Sequence, residues 1–104
     1  MLIINTTYHV SKTVVHEWVN WVKKDYIPAV IKTGLLVKPR FHQVFMDGED
    51  NSNAYALQFE VENFEKLEYW SNQFGKKLKT TLSEMFEEKV LGFTTLMEVI
   101  DLDI

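Results

Sequence analysis

Cysteine is missing altogether from this chain of 104 residues. Disulfide stapling, thiol nucleophiles, iron–sulfur clusters and thiolate zinc sites are therefore excluded, and a cytoplasmic residence is the expectation. Proline occurs twice and glycine four times, and no linker, internal repeat or low-complexity stretch interrupts the sequence. Long apolar runs are also lacking: none approaches the roughly 18 residues that a membrane span needs. The first residues, Met1 to Asn5, have no basic n-region and turn polar almost at once, so no targeting segment is expected. Charge of one sign is scarce as well. Eleven Lys and Arg stand against fifteen Asp and Glu, a net charge of −4 spread without a block. This argues against nucleic acid and against an anionic membrane as partners. The small basic groups at Lys23-Lys24 and at Lys76, Lys77 and Lys79 fall in helical patterns dotted with acids and read as solvated faces.

What is present is enough for one core. The composition is 46% hydrophobic and 13% aromatic, which at this length predicts a single domain over residues 1–104. From Leu2 to Val10 the residues alternate, with Leu2, Ile4, Thr6, Tyr8 and Val10 on one side, which predicts a strand. Ser11 is placed to cap a helix whose apolar positions Val14, Val15, Trp18, Trp21 and Val22 recur at helical spacing. Pro28 lies within the continuation of that pattern and predicts a kink or break near Tyr26 and Ile27, with Gly34 as the stop.

Leu36 to Met46 reads as a strand, with Phe41 and Phe45 on one face and Lys38, Arg40, His42, Val44 and Met46 on the other. Pro39 marks it as an edge strand. The polar cluster from Asp47 to Asn53 predicts a turn, and Ala54 to Val61 alternates again, so the two strands form a hairpin. A symmetrical turn places His42 opposite Gln58 and Arg40 opposite Glu60, and a bulge in so long a loop would shift that pairing by one residue. Asn63 or Glu62 starts a second helix, carrying Phe64, Leu67, Trp70, Phe74, Leu78, Leu82, Met85 and Phe86, with Gly75 as a possible interruption. Val90 to Ile100 is a last strand, apolar at both parities and so expected to be covered on both faces.

Strand, helix, strand, strand, helix, strand is the split βαβ arrangement. The right-handed crossover rule then gives a four-stranded antiparallel sheet of order 4-1-3-2 with both helices on one face, a ferredoxin-like α+β fold. The other face is assigned Asn5, Thr7, Lys38, Arg40, His42, Val44, Met46, Ala54, Ala56, Gln58, Thr94, Leu96, Glu98 and Ile100. Such a mixed surface predicts a C2 homodimer with the two sheets facing each other.

Several segments carry a resemblance over nearly the whole chain. They are Asn5-Thr-Thr-Tyr-His-Val10, Glu17-Trp-Val-Asn-Trp21, Ile27-Pro-Ala-Val30 with Thr33-Gly34-Leu35, Arg40, Tyr55-Ala-Leu-Gln58 and Thr95-Leu-Met-Glu-Val99. In these the chain resembles the dimeric α-β barrel superfamily, and within it an uncharacterised bacterial family of short proteins. The resemblance implies a ferredoxin-like fold and a dimer whose sheets form a shared barrel, with no assigned activity. Family members tend to carry histidine before the Ile-Pro pair and in the second helix, where this chain has Tyr26, Phe74 and Leu82.

The candidate ligand-binding residues are Asn5, Thr7, Arg40, His42, Gln58 and Glu98, as a polar lining between the sheets, together with Tyr26, beside the helix opened by Pro28. The competing reading is that these polar groups satisfy one another across the dimer. His9 and His42 on one face lack a third ligand, so no metal is assigned. His16 has no spacing partner. Trp18, Trp21 and Trp70 at helical spacing read as core. No nucleophile–base pair, phosphate-cradling loop or catalytic carboxylate pair emerges, and no cofactor is implied. The sequence thus supports a homodimeric small-ligand-binding or structural domain. The alternative, by fold analogy, is a cofactor-independent oxygenase or isomerase acting on a small aromatic or polyketide-like compound.

Overall fold

The computed structural model describes residues 1–45 and 52–104. Most of the predicted turn between the hairpin strands, with Met46 before it, lies outside the described residues. The alternating segments form the strands β1 (Leu2–Ser11), β2 (Val37–Val44), β3 (Ser52–Val61) and β4 (Val90–Glu98), joined in one antiparallel sheet of order β2-β3-β1-β4. This is the predicted order read from the opposite edge. Two helical arms cover one face. The first comprises α1 (Val15–Trp21), a turn of π-helix over Val22–Tyr26, and α2 (Ile27–Lys32). The second comprises α3 (Phe64–Trp70), a π-turn over Ser71–Gly75, and α4 (Lys76–Phe86).

Both interruptions expected from sequence are present, but as widened turns rather than breaks. The Ile27 N–H donates to the Val22 carbonyl and the Lys76 N–H to the Ser71 carbonyl, five residues back in each case. Pro28, at the start of α2, supplies no N–H of its own, and the wider turn before it accommodates the missing donor. Gly75 has ordinary helical dihedrals, so its role is close approach. A Cβ there would sit 2.7 Å from Cζ3 of Trp70. Gly34, at φ 74°, provides the expected left-handed stop after α2.

The predicted Ser11 cap does not form. Ser11 ends β1, its hydroxyl lies 3.0 Å from that of Thr13, and α1 begins at Val15 without a side-chain cap. In the second arm Asn63 does cap, its Oδ1 accepting from the Lys66 N–H at 2.8 Å.

Trp18, fully buried, centres the core. Its ring lies 5.0 Å from Tyr8, 5.2 Å from Tyr55 and 5.7 Å from Phe41, centroid to centroid. Trp21 extends the cluster to Tyr26 at 5.3 Å and Phe86 at 5.8 Å. Tilted and edge-on ring pairs of this kind add to the burial term.

Two expectations about register need correction. Arg40 pairs with Gln58 and His42 with Ala56, two residues away from the symmetrical alignment, and a bulge between Val37 and Arg40 holds Lys38 at φ 52°. A two-residue slip preserves parity, so Phe41 still faces the core opposite Leu57. In β4 the parity itself is reversed. Leu2 pairs with Glu98, Ile4 with Leu96, Thr6 with Thr94 and Tyr8 with Gly92. Thr94, Leu96 and Glu98 therefore share the helix-side face, and Leu91, Phe93, Thr95 and Met97 take the open face. A strand apolar at both parities offers no alternation to choose between registers; in the register adopted, Gly92 stands opposite Tyr8 and leaves room for its ring. Nor is β4 covered on both faces in the single chain, for Leu91, Phe93, Leu96 and Met97 are all exposed.

Candidate functional site

Because the helical layer leaves β4 uncovered, a cleft of about 940 Å³ opens between helices and sheet. Its floor comes from Ile4, Thr6 and Tyr8 of β1, Leu57 and Phe59 of β3, and Gly92 to Thr94 of β4. Tyr26, Trp70, Leu78 and Leu82 form its wall from the two helical arms, and exposed Lys76, Lys79, Glu87 and Glu88 stand at its rim. The volume falls in the range of small-molecule pockets, and a mostly apolar lining with a few hydroxyls is their usual chemistry.

Glycines make room for the aromatic rings that shape this cleft. A Cβ on Gly92 would lie 2.9 Å from Cδ1 of Tyr8 and 3.0 Å from its Cε1, so that one edge of the ring packs closely against β4. Trp70 packs against Gly75 in the same way, and its indole N–H is buried with no partner among the described residues.

Tyr8 and Tyr26 bring two phenols together. Burial pushes the Tyr8 hydroxyl well above the usual phenol range, and the neighbouring Tyr26 adds to that rise through charge and hydrogen bonding, against a smaller opposing influence of Thr6. Burial raises Tyr26 too, partly offset by its hydrogen bond with Tyr8. Both phenols are therefore neutral in the physiological range and serve as hydrogen-bond donors and acceptors, not as bases. On the floor beside them the Thr6 and Thr94 hydroxyls meet across the strands at 3.0 Å.

The residues singled out from sequence divide into three places. Tyr26 stands in the cleft. Asn5, Thr7, Arg40, His42 and Gln58 come together on the open face. Arg40, Gln58, Asn5 and Thr95 form one polar row straight across the four strands. His42, Ala56, Thr7 and Phe93 make the next row, and Val44, Ala54, His9 and Leu91 the one after it. Asn5 donates from Nδ2 to the Thr7 hydroxyl at 3.3 Å, while its Oδ1 is buried with no partner among the described residues. His9 stacks on Phe93 at 6.3 Å. Glu98, expected among this set, is on the opposite face beside Leu2 and does not join it.

Thr6, Tyr8 and Thr94 were not reached as site residues by sequence reasoning. Alternation gave Thr6 and Tyr8 to the core face, and the misread parity of β4 sent Thr94 away from them. The glycine opposite a tyrosine is the one signal that pointed to the right register.

No curated protein matches the sequence. Solved structures do, at a level that shows the fold alone. A dimeric ferredoxin-like protein from an uncultured marine organism is 16% identical over 96% of this chain and 95% of that one, with a TM-score of 0.69. HapK from Hahella chejuensis is 10% identical over 96% and 93%, with a TM-score of 0.72. A putative antibiotic biosynthesis monooxygenase from Deinococcus radiodurans is 10% identical over 97% and 94%, with a TM-score of 0.69. These likenesses bear out the ferredoxin-like fold. The model of the family described as "Domain of unknown function (DUF4286)" matches residues 1–100, and the chain therefore belongs to that family.

Proposed function

We propose that the protein is a homodimer joined through the open faces of its sheets, and that each subunit offers its helix-side cleft to a small, largely apolar ligand. The observation that carries the ligand reading is the cleft itself: some 940 Å³ of mostly apolar wall around two neutral phenols and a threonine pair. Such a lining suits a planar ring system bearing one or two hydroxyl or carbonyl groups, which Tyr26 and Tyr8 recognise by hydrogen bonding. The dimer reading is supported by the open face, where Leu91, Phe93 and Met97 flank the polar row. Facing sheets would remove these from water and give Asn5, Thr7, Arg40, His42 and Gln58 partners across the interface, or a shared polar chamber.

Titration calorimetry with 1-naphthol tests the cleft. Saturable binding at one site per subunit is expected, lost in Leu82→Trp, which fills the cleft, and weakened about tenfold in Tyr26→Phe, the worth of one hydrogen bond. Absence of saturable binding, or equal binding by Leu82→Trp, counts against the assignment.

The second reading is a cofactor-independent oxygenase or isomerase working in the same cleft. The phenol pair favours it, because two neutral hydroxyls are placed to stabilise developing charge on a bound ring, as does a neighbour described as a putative antibiotic biosynthesis monooxygenase. Conversion of a bound ligand that stops in Tyr26→Phe while binding survives would decide for the enzyme. Return of the ligand unchanged would decide for a binding protein.

A further inference from the structure

Two lysines on the rim of the cleft have no acid to answer them. From Tyr69 to Ser83 the chain holds no aspartate or glutamate, yet Lys76, Lys77 and Lys79 all fall within that stretch. The acids expected to dot this helix stop at Glu68 and resume only at Glu84. Side chains three or four residues apart are neighbours on a helix surface. At those spacings Lys76 and Lys79 meet each other and no carboxylate, so their like charges repel without relief.

No distant acid makes up the lack. Among the described residues the ion pairs are Lys38 with Glu60 and Lys66 with Glu62, and neither Lys76 nor Lys79 takes part in one. The rim glutamates stand at the other end of α4, Glu87 roughly 12 Å along the helical rise from Lys79.

The same two lysines line the cleft, whereas Lys77, between them, does not. Tyr26 enters the cleft from the first helical arm and the lysines from the second. One cavity thus combines an apolar wall, phenols that hydrogen-bond without ionising in the physiological range, and an uncompensated pair of cations. A neutral ring leaves the two ammonium groups in mutual repulsion. A carboxylate on the ring relieves it and gains charge-assisted hydrogen bonds from both.

We infer that the ligand of the cleft is an aromatic carboxylate, its ring on the apolar wall and its carboxylate held by Lys76 and Lys79. The inference rests on the cleft being the ligand site, and the experiment separates the two. Titration calorimetry on the full chain at low ionic strength compares 1-naphthol with 4-hydroxy-1-naphthoate, which keeps the ring and hydroxyl and adds a carboxylate across the ring. The carboxylate is expected to bind about tenfold more tightly, an advantage that added salt reduces. That ratio should fall toward one in Lys76→Gln/Lys79→Gln and persist in Lys77→Gln, which removes a neighbouring charge from outside the cleft. Leu82→Trp should abolish binding of the carboxylate, which locates it in the cleft. Equal affinity for the two compounds, or a preference that survives the double lysine variant, would overturn the carboxylate assignment and leave the cleft standing. Saturable binding of neither compound would overturn both.

Discussion

At Tyr8 three constraints meet: the ring packs against Gly92, meets Trp18 at a tilt and turns its hydroxyl toward Tyr26. Its buried neutral form fixes a pH dependence. A phenol whose folded pKa is raised leaves stability intact below the unperturbed value of 10.0 and removes it as pH rises above that, because the unfolded chain ionises and the folded one does not. Urea titrations between pH 8 and 11.5 should accordingly show stability falling above pH 10, with a shallower fall in Tyr8→Phe; equal slopes would mean that the phenol is not held from water. Gly92→Ala belongs to the same contact. The added methyl at 2.9 Å must push the ring into the cleft, so that 1-naphthol binding and stability should decline together.

The π-turns are the elements that give the cleft its shape. Each helical arm widens by one residue where it passes the cleft, the first ending on Tyr26 and the second on Gly75. Gly75→Ala should therefore cost about 1–3 kcal/mol by thermal or chemical unfolding, the usual penalty of overpacking a tight contact. An effect below about 0.5 kcal/mol would show that Trp70 moves aside freely. Sequence marked both places, through Pro28 and Gly75, but not the form of the interruption, since a bond to the fifth residue back leaves no signature in periodicity. β1 and β3 were legible because their alternation is clean. β4 was not: Leu91, Phe93, Met97 and Val99 compete with Val90, Leu96 and Ile100 at the other parity, and packing against Tyr8 decided between them. That one ambiguity moved Glu98 into the expected open-face set and hid the Thr6–Thr94 pair. Tyr26 was legible for a local reason, the proline two residues on, whereas the cleft follows from where α4 stops short of β4, a tertiary matter.

For the whole molecule, the open face and the exposed β4 are the features a lone subunit leaves unresolved. Leu91 and Phe93, 61% and 57% exposed, sit at the edge of a face whose centre is the row Arg40, Gln58, Asn5 and Thr95. Apolar flanks around a polar row are what two facing sheets would cover, and the corrected register of β4 makes those flanks more apolar than the sequence alone suggested. Placing a carboxylate at each flank position should break the contact without disturbing the core on the other side of the sheet, because neither residue belongs to that core. Sedimentation velocity over a micromolar concentration range, comparing the unaltered chain with Leu91→Asp/Phe93→Asp, tests this most directly. A species of twice the monomer mass is expected for the first and a folded monomer for the second. A monomer throughout for the unaltered chain would contradict it.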